Sequence, residues 1–142
     1  MDGSKYLSEL SHMRRRLDSL LTRKRAYEAM ADGIPTHPFD EPVIQKSKTD
    51  NNAPFVKWMD KILTIDKEIA DAETELKKYT LRVLGMIGKI ENTNYQNVLL
   101  LRYVNEMRWE DIATELCITR QTCWRWHHSA LTEFEEKNKD VT

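Results

Sequence analysis

The sequence contains few residues that break helices. Its 142 residues include four glycines and four prolines. Because glycine and proline are the poorest helix formers, their scarcity favours a fold built from long helices. The sequence also contains only two cysteines, and we expect both to stay reduced in a cytosol rather than to form a disulfide.

Long apolar runs and targeting signals are also missing. The longest apolar run, residues 98–101, has four residues, whereas a membrane-spanning helix needs roughly 20. The first residues, Met1-Asp2-Gly3-Ser4, have neither the basic flank nor the apolar core of a signal peptide. We therefore expect a cytoplasmic protein that makes no membrane contact.

Motifs for enzymatic chemistry are absent as well. The sequence has no glycine-rich phosphate loop, no nucleophile motif and no paired carboxylates beyond ordinary helix-surface spacing. We therefore predict that the protein is not an enzyme and needs no cofactor. Cys123 and His127 are one helical turn apart and could supply two zinc ligands, but Cys117 would have to reach back from a turn to complete the site. We interpret the cysteines as small apolar residues and predict no metal site.

What the sequence does contain is helical periodicity. Apolar residues at steps of three or four predict a first helix that begins near Ser4 and ends by Gly33, with residues 33–53 as a loop or flexible linker. Pro54 suits the first position of a second helix, and an apolar seam continues from Phe55 to Ile90 over about 36 residues. The first stripe consists of Tyr6, Leu10, Met13, Leu17, Leu20 and Tyr27.

Two long helices with heptad-like stripes can form an antiparallel hairpin, a dimeric coiled coil, or both. The second seam offers more apolar surface than the first helix can cover, so we expect a homodimer. The basic clusters at residues 14–16 and 23–25 are interpreted as solvated helix surface rather than as sites for phosphate or polymerase.

Three shorter helices are predicted after residue 94. They cover residues 95–104, 109–116 and 119–134, and Cys117-Ile118 forms a tight turn between the last two. The small side chain of Ala113 suits a close crossing of these two helices. Thr119 is a good N-cap for the third helix.

The third helix carries a concentrated outward-facing set of polar and aromatic residues. We predict that it contacts bases in the DNA major groove, where arginine pairs with guanine and glutamine with adenine. Arg102 and His128 are further candidates, for contact with phosphates. Net charge opposes strong non-specific binding, because residues 91–142 contain six basic and nine acidic side chains. The predicted DNA-binding residues are Arg120, Gln121, Trp124, Arg125, His128 and Arg102.

Four segments of this region resemble a known class of domain. They are similar to region 4 of bacterial sigma factors, and more closely to the ArpU and RinA-type late transcription regulators of phages and prophages of Gram-positive bacteria. This sequence differs from these proteins in two ways. Cys117 replaces a frequent glycine, which implies a left-handed backbone conformation at Cys117, and tryptophans stand where smaller or basic residues are usual. We interpret Trp126 as a core residue and Trp124 as exposed, stacking on a sugar or a thymine methyl. The segments are Leu101-Arg102-Tyr103, Trp109-Glu110-Asp111-Ile112-Ala113, Ile118-Thr119-Arg120-Gln121-Thr122 and Ala130-Leu131.

The resemblance implies an all-α protein with a helical or coiled-coil arm at residues 1–90 and a helix-turn-helix domain at residues 91–142. It implies a sequence-specific transcription regulator of phage or prophage late genes in the bacterial cytoplasm, associated with the nucleoid. Double-stranded DNA is the expected partner, with RNA polymerase as a second candidate. The alternatives are a small-terminase-like subunit for DNA packaging and a protein-interaction module whose helix-turn-helix no longer contacts DNA.

Overall fold

The structure is a computed structural model that describes residues 1–33 and 52–141 of the chain. Within those two ranges every regular element is helical, which confirms the predicted all-α class. The predicted linker at residues 33–53 lies outside the described residues except at its ends. The elements are α1 (Gly3–Ala31), α2 (Asn52–Ile87), α3 (Thr93–Leu99), a π-helical segment (Leu100–Val104), α4 (Trp109–Glu115), α5 (Arg120–Lys137) and a final 3-10 turn (Lys139–Val141).

The two long helices follow the sequence prediction closely. α1 ends at Ala31, and Gly33 adopts a left-handed φ of 63° just beyond it, as a helix-terminating glycine does. α2 has 36 residues, the predicted length, but it begins at Asn52 and ends at Ile87. Pro54 therefore lies within the first turn rather than at the first position. Proline is tolerated there because amides of the first turn have no acceptor within the helix.

The described residues form two compact units. One unit consists of Arg15–Thr74. Its core contains Leu20 of α1 and Ile65 and Ile69 of α2. Lys24 and Asp66 form an ion pair at 2.8 Å, and the rings of Tyr27 and Trp58 lie 6.0 Å apart. These contacts join later residues of α1 to earlier residues of α2, as in an antiparallel helix pair.

The other unit combines Met1–Arg14 with Glu75–Thr142. The first turns of α1 belong to it because their apolar side chains enter the core around α5. The amide of Gly3 donates to Glu135 Oε2 at 2.7 Å, and the Tyr79 hydroxyl donates to the carbonyl oxygen of Tyr6 at 2.6 Å. Burial is the main cause that raises the pKa of Tyr79 to about 12. The core consists of Leu7, Leu10, Val83, Met86, Ile87, Ile90, Leu99, Ala130 and Phe134.

The end of α5 is fixed by a buried side chain. Asn138 is fully buried directly after the helix, and its Nδ2 donates to the carbonyl oxygens of Phe134 at 2.8 Å and Met86 at 3.3 Å. The helix thus continues to Lys137, three residues beyond the predicted end at Phe134. The first hydrogen bond closes the last turn of α5, and the second joins the end of α5 to α2.

Candidate nucleic-acid interface

A tight turn joins α4 to α5. Cys117 has a φ of 57°, which confirms the left-handed conformation expected where glycine is usual. The amide of Ile118 donates to the carbonyl oxygen of Ala113 at 2.9 Å and closes the turn. The hydroxyl of Thr119 accepts from the amide of Thr122 at 3.1 Å, so the predicted N-cap is confirmed.

The strained position makes Cys117→Gly a test of the turn. The left-handed backbone conformation destabilises a residue that has a Cβ by roughly 1–2 kcal/mol, and it does not destabilise glycine. Glycine also costs about 0.5–1 kcal/mol through the unfolded chain. We therefore expect Cys117→Gly to leave the free energy of unfolding unchanged or to raise it by up to about 1.5 kcal/mol. Thermal unfolding followed by circular dichroism measures the change.

A matched control places glycine where the backbone is ordinary. Ser129 is an exposed residue inside α5, so Ser129→Gly should lower the melting temperature. If Cys117→Gly destabilised the protein as much as Ser129→Gly, the left-handed turn at Cys117 would be wrong.

The helices on either side of the turn share a small apolar core. Its buried members are Ile112, Ala113 and Cys123, and burial raises the pKa of the Cys123 thiol. Ala113 is buried in this cluster, as its predicted place at the helix crossing requires. The interpretation of Trp126 as a core residue is only partly right, since Trp126 is half-buried. His127 is buried instead.

The helical period explains this difference. The buried residues of α5 are Cys123, His127, Ala130 and Phe134, at steps of four, three and four, so they line one face. Trp126 precedes His127 by one residue, which places it about 100° around the helix from that face. His127 therefore occupies the core position that was predicted for Trp126.

The first half of α5 presents an exposed face. Five of the six predicted DNA-binding residues are exposed and lie at helical steps of one and three, which places them on one side of the helix. Arg125 Nη2 donates to Thr122 Oγ1 at 3.1 Å, which orients its side chain. We call this surface the outward face of α5; it consists of Arg120, Gln121, Trp124, Arg125 and His128.

Arg102, the sixth predicted residue, lies in the π-helical segment and is half-buried. Its Nη1 donates to the carbonyl oxygen of Met107 at 3.0 Å. Its guanidinium carbon lies 4.4 Å from the ring centroid of Trp109, within cation–π distance. The structure thus gives Arg102 a role in fixing the connection before α4, and its contact with phosphate stays a prediction.

An aromatic cluster that was not predicted from the sequence supports the outward face. The ring of Trp109, the first residue of α4, lies 4.6 Å from His127 and 5.7 Å from Trp124, both edge-on. His127 Nε2 lies 2.8 Å from the Tyr103 hydroxyl. Burial, and then the charges of His128 and Arg102, lower the pKa of His127 to about 4. The signal for this cluster in the sequence was that α5 contains several Trp and His residues and that α4 begins with a Trp.

Within residues 1–33 and 52–141, no three His, Cys, Asp or Glu side chains lie close enough together to hold a metal ion. Cys117 is exposed, whereas Cys123 is buried. None of the helices described is both long and apolar enough to cross a bilayer.

These features define the class of protein: the part of the chain that the structure describes has only helices as regular elements, and its C-terminal part pairs two helices across a tight turn to present a polar and aromatic face. The chain belongs to the family DUF1492, whose members are described as proteins of unknown function. The family's sequence model matches residues 48–135. The match includes the turn and all six predicted DNA-binding residues. No curated protein and no solved structure matches the chain.

Proposed function

We propose that this protein is a sequence-specific DNA-binding transcription regulator, and that α5 enters the major groove. One observation carries the proposal: five side chains suited to base and phosphate contact share the outward face of α5. α4 and α5 would then be the two helices of a helix-turn-helix, in which the second helix addresses base edges through residues near its N-terminus. Arg120 and Arg125 would read guanine, and Gln121 would read adenine.

The distribution of charge in α5 supports this orientation. Its first half contains Arg120 and Arg125, and its first acidic residue is Glu133. At 1.5 Å per residue, Glu133 lies roughly 20 Å along the helix axis from Arg120. The acidic total of residues 91–142 therefore does not fall on the outward face. Non-specific binding should still be weak and should fall quickly as salt rises, because few cations face the phosphates.

The finer parts of the proposal depend on the resemblance in sequence. A domain similar to sigma region 4 and to the ArpU and RinA-type regulators would activate late genes of a phage or prophage, with RNA polymerase as a candidate partner. The homodimer also stays a prediction. It is supported by the exposed Leu81 and Leu84 on α2, neighbouring apolar side chains that a second copy would cover.

A protein-interaction module is the second candidate. The observation that favours it is the acidic surface of α4, where Glu110, Asp111 and Glu115 are all exposed. In a DNA complex this helix would lie near the phosphate backbone. Asp111 is partly neutralised by an ion pair with Arg108 at 3.2 Å, and a partner with a basic surface would bind the other two carboxylates.

Arg125→Ala distinguishes the two functions. A binding site is first selected from randomised duplexes with the wild-type protein, and affinities are then measured on this site and on a scrambled duplex at one salt concentration. If Arg125 makes a paired contact with guanine, its loss should cost about 1–3 kcal/mol on the selected site and much less on the scrambled duplex.

Arg25→Ala is the matched control, because it removes the same charge from an exposed position on α1. It should leave both affinities nearly unchanged. Equal losses on both duplexes for Arg125→Ala would make Arg125 a phosphate contact instead. No loss on either duplex would mean that α5 does not enter the groove, and the protein-interaction function would then be favoured.

A further inference from the structure

Trp124 is the one large apolar side chain on the outward face of α5. It is 50% exposed and lies among basic and polar residues. Gln121 and Arg120 precede it by three and four residues, and His128 follows it by four. An exposed indole at the centre of a face proposed to enter the major groove needs an apolar partner there, because burying it against polar groups alone would leave them unpaired.

The indole is held in place rather than free to turn. Its ring packs edge-on against Trp109 at 5.7 Å and an interplanar angle of 77°. It also packs against His128 at 4.7 Å and 87°, and against His127 at 5.8 Å. Aromatic pairs prefer such edge contacts, which add to the energy of burial. The exposed half of Trp124 is therefore oriented before any ligand arrives.

The chemistry of the groove limits what this surface can contact. In a duplex the base faces are stacked on each other, and reaching one requires unstacking at a cost of a few kcal/mol. Base edges in the major groove present hydrogen-bonding groups, with one apolar exception, the 5-methyl group of thymine. A rigid indole that enters the groove between arginine and glutamine readers fits that methyl group.

We propose that Trp124 is a specificity-determining residue that recognises the 5-methyl group of thymine in the target site. This inference rests on the proposed function and adds to it one base and one residue. It commits to the methyl group rather than to the sugar, because the flanking side chains on the same face are suited to base edges. The target should therefore contain a thymine at a fixed position between the bases that Arg120 and Arg125 contact.

The test replaces each thymine of the selected duplex, one at a time, by deoxyuridine, which differs only by the absence of the methyl group. Replacing one particular thymine in each site that an α5 helix contacts should lower the affinity of the wild-type protein by about fourfold. This is the factor expected for one buried methyl group. The other thymines should show no change. A scan in which no thymine matters would overturn the proposal while leaving DNA binding intact.

Two variants assign the effect to the indole. Trp124→Ala should bind thymine and deoxyuridine duplexes equally, whereas Gln121→Ala should bind more weakly but keep the fourfold difference. Circular dichroism checks that both variants fold, and Trp124→Phe, which keeps an apolar ring, should retain part of the difference. If the difference persisted in Trp124→Ala or vanished in Gln121→Ala, Trp124 would not be the reader. If the wild type selected no duplex at all, the proposed function would fail and this inference with it.

Discussion

Phe134→Ala should lower the free energy of unfolding by about 3–5 kcal/mol, the usual cost of truncating a buried phenylalanine. Phe134 is 0% exposed and belongs to the core that contains Leu7 and Leu10 of α1 and Val83 of α2. Removing its ring leaves a cavity among residues from three helices. The backbone there is unable to close the cavity freely, because Gly3 is hydrogen-bonded to Glu135 beside it. Urea unfolding followed by circular dichroism measures the change.

The control for this prediction is an apolar truncation without a cavity. Met30 of α1 is 57% exposed, so Met30→Ala should change the free energy of unfolding by no more than about 0.5 kcal/mol. If Phe134→Ala cost as little as Met30→Ala, the first turns of α1 would not pack around α5 as described. The unfolding of Phe134→Ala should also remain a single transition if the unit that contains α5 unfolds cooperatively.

The local structure was largely predictable from the sequence, because it depends on short-range chemistry. Helical periodicity predicted α1 and α2 to within a few residues. The turn was predicted from Ala113 and Thr119, since a close helix crossing and an N-cap each require particular residue types at fixed spacing. The left-handed conformation of Cys117 was expected from the resemblance, because glycine is frequent at that position. The same spacing predicted which residues of α5 are exposed.

The grouping of the helices into units was not predictable. The boundary between the units falls in α1, since Met1–Arg14 and Arg15–Thr74 belong to different units. The apolar stripe of α1 continues past this boundary without a break. A stripe shows which face of a helix is buried but not which partner covers it. The ring of Trp109 against His127 likewise brings together residues 18 apart in sequence, and only the tertiary fold sets their distance. The π-helical segment Leu100–Val104 departs from the 3.6-residue period that any such prediction assumes.

Stability should also depend on pH through His127, which is 6% exposed and interacts with the Tyr103 hydroxyl. Burial lowers its pKa in the folded protein to about 4, whereas the unfolded chain has a pKa of about 6.5 at histidine. Between these values the unfolded state binds the additional proton, so acidification favours unfolding. The free energy of unfolding should therefore be highest above about pH 6.5 and fall as the pH is lowered to about 4, by on the order of 3 kcal/mol from this group.

The pH effect can be assigned to His127 by comparing two glutamine variants. The free energy of unfolding is measured in urea at pH values between about 4 and 7 for the wild type, His127→Gln and His128→Gln. His127→Gln removes the group that titrates, so its stability should decline less steeply with acid than that of the wild type, even if it is lower at neutral pH. His128 is exposed, and His128→Gln should keep most of the wild-type dependence. The small part that His128 contributes should be lost, since its charge is one of the causes that lower the pKa of His127.

Parallel curves for the wild type and His127→Gln would mean that His127 is solvated rather than buried against Tyr103 and Trp109. The aromatic cluster behind the outward face of α5 would then be wrong.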